Sequence, residues 1–383
     1  MTGAQRGKNV LTHYENDLTL KQGSRFREKG TIMTAKFQTA IALPGLLSGF
    51  LMATASISGA SAQQLTVATG GGIIADAERA AFFEPTAKAL GVTFKEETIQ
   101  NVRDIRLQVR SGAVTWDIAQ LGLDECQQAA KEGILEKIDR KIVNTDGIES
   151  PSDMDYCIPA YYYSTVIAWN TKTGQPGGKT MKNWADFFDT KTFPGARSVF
   201  KFPRGNLEMA LLADGVAPDK LYPLDVDRAF KKLEQIKPQI EAWWDSGAQS
   251  AQLLKDGEVD YIQIWNGRAS SVMRDGGKAG FTFNQGILTG DAFAIPKGAP
   301  HKDMAMKALA MFFSPEQQAH FPLTVDYGPS NLKAFKTGIL SPEQIARINT
   351  SPENMKTQIK LDEVWWAQNN AAVLERWDNF MQR

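Results

Sequence analysis

QQLTVATGGGIIADAERAAFFEPTAKALGVTFKEETIQNVRDIRLQVRSGAVTWDIAQLGLDECQQAAKE, residues 63–132, decides the fold class. Leu65-Thr66-Val67-Ala68 is a short strand-like run, and Gly70-Gly71-Gly72 follows it as a turn. DAERAAFFEPTAKAL (76–90) has helical spacing, and Pro85 is expected to kink or divide it. VTFKEETI (92–99) reads as extended. NVRDIRLQVRSG (101–112) reads as a helix, with Val102, Ile105 and Val109 on one face and Gly112 as its stop. WDIAQLG (116–122) is the next strand, and Asp124 to Glu132 the next helix. Strands alternating with helices of this length predict βαβ units on a mostly parallel sheet.

The middle of the chain repeats this plan. YYYSTVIAWN (161–170) reads as a long strand, RSVFKFP (197–203) as another with GNLEMALLADG (205–215) as its helix, and DVDRAFKKLEQIKPQI (225–240) as a longer helix. SAQLLKDGEVDYIQIW (250–265) reads as helix, turn, strand, and DAFAIP (291–296) as a further strand. Beyond it the pattern is helical, and each SPEQ offers Ser as N-cap and Pro at the first helical position. About 320 residues exceed one comfortable α/β core. Two lobes, joined by chain crossings near 164–170 and 286–295, account for the repeated pattern and place a ligand cleft between them. The expected division is 63–169 plus 287–383 for one lobe and 170–286 for the other.

The chain has 383 residues, 43 basic and 43 acidic. Residues 1–62 hold seven basic and three acidic residues, leaving 36 basic against 40 acidic beyond them. A mildly acidic body lacks the basic face that nucleic acid requires. TAIALPGLLSGFLMATASI (39–57) carries no charge, Lys36 precedes it, and Ala60-Ser61-Ala62 follows as an A-x-A exit. These are the parts of a secretory signal cleaved after Ala62; Pro44, Gly45 and Gly49 argue against a membrane anchor. Export to an oxidising compartment makes the two cysteines, Cys126 and Cys157, a disulfide pair. Closing a loop of about 32 residues stabilises the fold by about 3–4 kcal/mol in the chain-entropy model.

Catalytic signatures are mostly absent. Residues 63–383 contain no HExxH, GxxxxGK[ST] or GxSxG, and the two histidines, His301 and His320, support neither a nucleophile relay nor a metal site. Gly70-Gly71-Gly72 is a weak dinucleotide fingerprint, because Ala75 stands where a third glycine belongs. It reads either as a loop that lets a ligand approach the backbone or as a tight turn without one. Most of the nine tryptophans fit core packing, with Trp243-Trp244, Trp365-Trp366 and Trp377 in helical stretches. Trp265 differs: it ends a strand and precedes Asn266-Gly267-Arg268, at the edge where α/β clefts lie. Alternation puts Tyr161 or Tyr163 toward the cleft. Asp291, after Gly290, offers a cationic amine a charge-assisted hydrogen bond beside an aromatic face.

LLKDGEVDYIQIWNGRAS (253–270), GDAFAIPKGAPHKDMAMKAL (290–309), SPEQQ (314–318), YGPSN (327–331) and SPEN…LDEVWW (351–366) together resemble the periplasmic polyamine-binding proteins of ABC importers. The resemblance implies an α/β, two-lobed periplasmic-binding-protein fold of type II, with a hinge crossed by at least two strands and a helical C-terminus. It further implies a monomeric binding protein, without cofactor or chemistry of its own, that delivers its ligand to a membrane permease and ATPase. Trp265 and Asp291 match the family's aromatic wall and principal amine acceptor, and Tyr163 adds a second wall. Other positions depart from the pattern: Gly71 and Gly72 stand where aromatics are usual, and Phe202 and Gly205 flank Arg204 where an acidic pair is expected. Asp124 is a replacement acceptor, whereas Arg204 suits a carboxylate. A polyamine such as putrescine or spermidine is the leading ligand; an opine or amino-acid-derived amine bearing an acid is the alternative. An exported enzyme on this fold and a receptor-coupled sensor are the competing classes.

Overall fold

The computed structural model describes residues 62–150 and 155–383. The signal sequence expected within residues 1–62 lies outside these residues, apart from Ala62. Strand β1 (Gln63–Thr69) leads into helix α1 (Gly72–Glu78), a π-helical turn (Arg79–Phe83) and α2 (Glu84–Leu90). The helix thus starts four residues earlier than its apolar spacing suggested. Pro85 does not divide it. Its missing N–H is absorbed by the wide turn before it, in which the Glu84 N–H reaches back five residues to the Arg79 carbonyl. β2 (Val92–Thr98), α3 (Val102–Ser111), β3 (Ile118–Gly122) and α4 (Leu123–Glu132) complete the first set as the sequence predicts. Asn101 caps α3 through the Arg103 N–H, and Gly112 ends it in the left-handed region.

Strand β4 (Cys157–Asn170) is followed by α5 (Trp184–Phe188), β5 (Arg197–Phe200), α6 (Asn206–Ala213) and α7 (Val226–Ile236). Then come β6 (Ile240–Trp244), α8 (Gly247–Asp256), β7 (Tyr261–Trp265), α9 (Asn266–Arg274) and β8 (Ala279–Ala294). Trp243 and Trp244, expected in a helix, lie on β6. The period-2 alternation sends Trp244 under Phe200 (ring centroids 4.4 Å apart) and Trp243 against Trp377 on the other face. The remainder is α10 (Lys302–Phe312), α11 (Pro315–His320), the two-residue β9 (Gly328–Pro329), α12 (Pro342–Arg347), β10 (Ile359–Lys360) and α13 (Glu363–Gln382). Ser314 and Ser341 cap α11 and α12 through the N–H three residues on, as the SPEQ pattern predicts.

The strands form one sheet of order β2-β1-β3-β8-β4-β7-β5-β6. β2-β1-β3 and β7-β5-β6 are each parallel, and the antiparallel pair β8–β4 lies between them. β4 has 14 residues and β8 has 16, about 46 and 53 Å at roughly 3.3 Å per residue. Each is long enough to run from one parallel set into the other. Their register slips between Thr165 and Ile167, opposite a segment of β8 where Gln285 has φ 56°. Asp291 therefore lies inside β8 rather than opening a strand. Gly286 and Gly290 look like breaks in the sequence, but β4 pairs with β8 on either side of the slip and keeps it extended.

Phe82, fully buried, stacks on Phe321 and Phe312 beneath the β1 side of the sheet. A second core gathers Trp184, Phe187, Leu211, Phe230 and, from α13, Trp366, Trp377 and Phe380. α13 also packs along α4, so the C-terminal helix touches elements from both parallel sets. Cys126 on α4 and Cys157 at the start of β4 form a disulfide with Cα atoms 6.4 Å apart.

Candidate functional site

The middle of β4 and β8 and the ends of β5 and β7 line a cavity of about 190 Å³. Its lining includes Tyr163, Thr165, Phe200, Arg204, Trp265 and Thr289. Trp265 ends β7 with its ring edge-on to Tyr163 (5.7 Å), Phe200 (5.5 Å) and Trp244 (5.1 Å), so packing fixes its face. The next two residues hold it there. The Asn266 side chain accepts from the Ser164 N–H and donates to the Asp326 carbonyl. At Gly267 any Cβ would lie 2.5 Å from the Tyr327 ring, so only glycine lets that aromatic close in. In the C-terminal region, Gln318 of SPEQQ donates to the Ala160 carbonyl and accepts from the Ser330 N–H, tying the YGPSN loop to β4.

Tyr161 and Tyr163 share one face, and Tyr327 links them at 6.0 and 5.5 Å. Tyr162 points the opposite way and donates to the Glu149 carbonyl. Asp291 does not line the cavity; it adjoins this aromatic row through Tyr161. Its Oδ2 accepts from the Tyr161 hydroxyl and from Gln120 Nε2, both at 2.8 Å. Burial pushes the Asp291 pKa up, while those two donors and the positive charge of Arg204 pull it back. Burial likewise raises the Tyr161 and Tyr163 hydroxyls, with Asp291 adding to both, so they act as donors. Gln120 is a residue that sequence reading missed. Its only signal is strand alternation, which sets it on the face of Ile118 and Gly122.

Arg204 is carried by the loop between β5 and α6. Asn206 Nδ2 donates to the Phe200 and Phe202 carbonyls, and Glu208 accepts from the Gly205 N–H. Gly205 supplies the φ of 86° that the turn needs. Arg204 Nη1 donates to Asp124, which is buried in the first turn of α4. Burial opposes the guanidinium's charge, but Asp124, then Tyr163, Glu363 and Glu125, more than offset this and raise its pKa. Glu363 on α13 accepts from Thr289 and is pushed well up by burial and then by Asp124; Glu125 is raised for the same two reasons. Asp124, Trp265, Tyr163 and Arg204 thus belong to one region, with Asp291 at its edge. Gly71 and Gly72 are not among the residues lining the cavity. The neighbouring Gly70 N–H is occupied by Gln120 Oε1, and the Gly71 N–H by Thr69 Oγ1.

Among the described residues no cluster of side chains is arranged to hold a metal ion, and no helix is long and apolar enough to cross a membrane. Aromatic walls with fixed charges at their margins, set where two parallel sets of strands join through shared antiparallel strands, define a small-molecule binding protein. The chain belongs to the bacterial extracellular solute-binding protein family, whose pattern matches residues 79–370. It is the substrate-binding protein of an ABC transporter, of a periplasmic kind that binds small molecules, docks with permease components and catalyses no reaction.

The gamma-aminobutyric acid-binding protein of Pseudomonas aeruginosa is 30% identical over 346 residues, 88% of this chain and 96% of that one. The spermidine/putrescine-binding periplasmic protein of Escherichia coli is 28% identical over 263 residues, 66% and 72% respectively. An ABC transporter substrate-binding protein from Bradyrhizobium japonicum superposes with TM-score 0.80 at 44% identity, covering 83% of this chain and 99% of that one. MotA of Agrobacterium tumefaciens, solved with glucopine, gives 0.76 at 40% identity over the same shares.

Proposed function

We propose that the protein captures a small amine bearing an acid group, an ω-amino acid or an opine, and hands it to its permease. Asp291 takes the ammonium, Tyr163 and Trp265 clasp the aliphatic segment, and Arg204 takes the carboxylate. The observation that carries this reading is Arg204 itself, which lines the same cavity as the aromatic walls and whose charge reaches Asp291. A guanidinium presents five N–H donors, and Asp124 engages only Nη1, so a second oxyanion has donors to meet. A diamine would gain nothing from that group. The gamma-aminobutyric acid binder is also similar over a larger share of the chain than the polyamine binder.

Closure is proposed as rotation of 63–169 plus 287–383 against 170–286, with ligand favouring the closed population. Export with cleavage after Ala62 and a monomeric mature protein complete the proposal. The test is titration calorimetry of the mature protein and of Arg204→Gln with γ-aminobutyrate, glucopine and putrescine. The acid-bearing amines should bind more tightly than putrescine and lose at least about tenfold in the variant, as expected when a charged hydrogen bond is removed. Tighter binding of putrescine, with no effect of the substitution, would overturn the reading.

A further inference from the structure

Glu78 has no role in the site as described so far, and its setting is unusual. It sits at the end of α1, is 0% exposed, and neither carboxyl oxygen has a hydrogen-bond partner. A buried carboxylate without donors is costly in any fold, so its retention calls for a reason. The nearest guanidinium on its helix, Arg79, is engaged elsewhere, with Nε and Nη2 on Glu96 at 2.6 and 2.8 Å and Nη1 on Asp76 at 2.8 Å. The titratable groups acting on Glu78 are Asp291 from β8, Glu96 from β2 and Tyr161 from β4, none of them a cation. The segment 321–323, which packs against α1, contributes Phe321, Pro322 and Leu323. Behind Asp291 there is therefore a second carboxyl with neither a donor nor a counter-charge. Its link to the site is electrostatic, through Asp291, which Tyr161 and Gln120 hold by hydrogen bonds.

Resting on the amine reading above, we propose that Glu78 is a second carboxyl of the ammonium site, holding a proton in the empty protein and releasing it to water when a cationic amine seats against Asp291. Two carboxyls in one water-poor site cannot both ionise cheaply, and an arriving ammonium is the charge that lets them. Burial, then Asp291, then Glu96 push the Glu78 pKa well up, in keeping with a neutral group in the empty site. Ligand affinity then rises with pH, by up to about tenfold per unit, until the pair is ionised without ligand.

Two measurements test this. Infrared difference spectra of the ligand-free protein and Glu78→Gln at neutral pH should show a protonated-carboxyl stretch that the variant lacks. Calorimetry of γ-aminobutyrate binding in buffers of different ionisation enthalpy should give release of about one proton per ligand in the parent and none in the variant. Absence of the carboxyl band overturns the inference whatever the ligand. Amine binding without proton release overturns it while leaving the amine reading intact. Failure of γ-aminobutyrate, glucopine and putrescine alike to bind overturns the amine reading and this inference with it.

Discussion

Asp291→Asn removes one negative charge while keeping the shape of the side chain and an oxygen that can accept from Tyr161 and Gln120. The two donors now on Oδ2, each at 2.8 Å, keep a partner, so the fold should lose little. The ligand loses much more. An ammonium about 3 Å from the carboxylate, at an effective dielectric near 20, gains about 5 kcal/mol. The amide dipole recovers part of this, and the pre-existing cost of burying Asp291 is no longer carried, which leaves a net loss of about 2–4 kcal/mol. That corresponds to a roughly 30- to 900-fold rise in Kd. Titration calorimetry with γ-aminobutyrate at pH 7 reads it directly, and the melting temperature of the free variant, expected within about 2 °C of the parent, guards against misfolding. A Kd within threefold of the parent, in a variant that melts normally, refutes the assignment of Asp291 as the ammonium acceptor.

The remaining predictions concern the scaffold. Cys126→Ser with Cys157→Ser should cost about 3–4 kcal/mol of stability for a loop of this length, measured by urea unfolding; the parent should show no free thiol when denatured without reductant. Phe82→Ala should cost about 3–5 kcal/mol, because a fully buried ring stacked on Phe312 and Phe321 leaves a cavity that rigid neighbours do not fill. For Glu78 the sign follows from its raised folded pKa. The neutral acid is no burden below the unfolded value of about 4.3, and stability falls as pH rises from there toward the folded value. Melting curves of Glu78→Gln against the parent should therefore diverge in the variant's favour as pH climbs above about 4.3; parallel curves between pH 4 and 8 would contradict this.

Much of this was readable from the chain itself where local rules agree. The strand–helix alternation over 63–132, the Asn101 and SPEQ caps, and Trp265 at the end of its strand follow from spacing and capping chemistry. What escaped depends on neighbours distant in sequence. Trp243-Trp244 read as helical, yet a five-residue strand beside β5 needs exactly such alternating bulk on its two faces. Asp291 read as the start of a strand because the glycines near it resemble punctuation, whereas pairing to β4 keeps the backbone extended. At the site, Trp265, Tyr163 and Asp291 were visible from residue type and position. The engagement of Arg204 by Asp124, 80 residues apart, and the lone carboxyl of Glu78 were not, because both are products of folding rather than of pattern.

The sheet order carries one more consequence, for the time course of synthesis. β3 and β4 are neighbours in sequence but not in space, since β8 lies between them and bonds to both. The chain that leaves the ribosome or the export channel first therefore possesses both walls of a slot whose filling strand ends more than 120 residues later, at Ala294. Cys126 and Cys157 lie on either side of that slot and are both available long before the filling strand arrives. Long-range insertion of this kind is slow and leaves strand edges exposed while it waits. In a chain delivered from its N-terminus, Cys126 after β3 and Cys157 at the start of β4 can thus be joined before the strand that fills the slot has emerged.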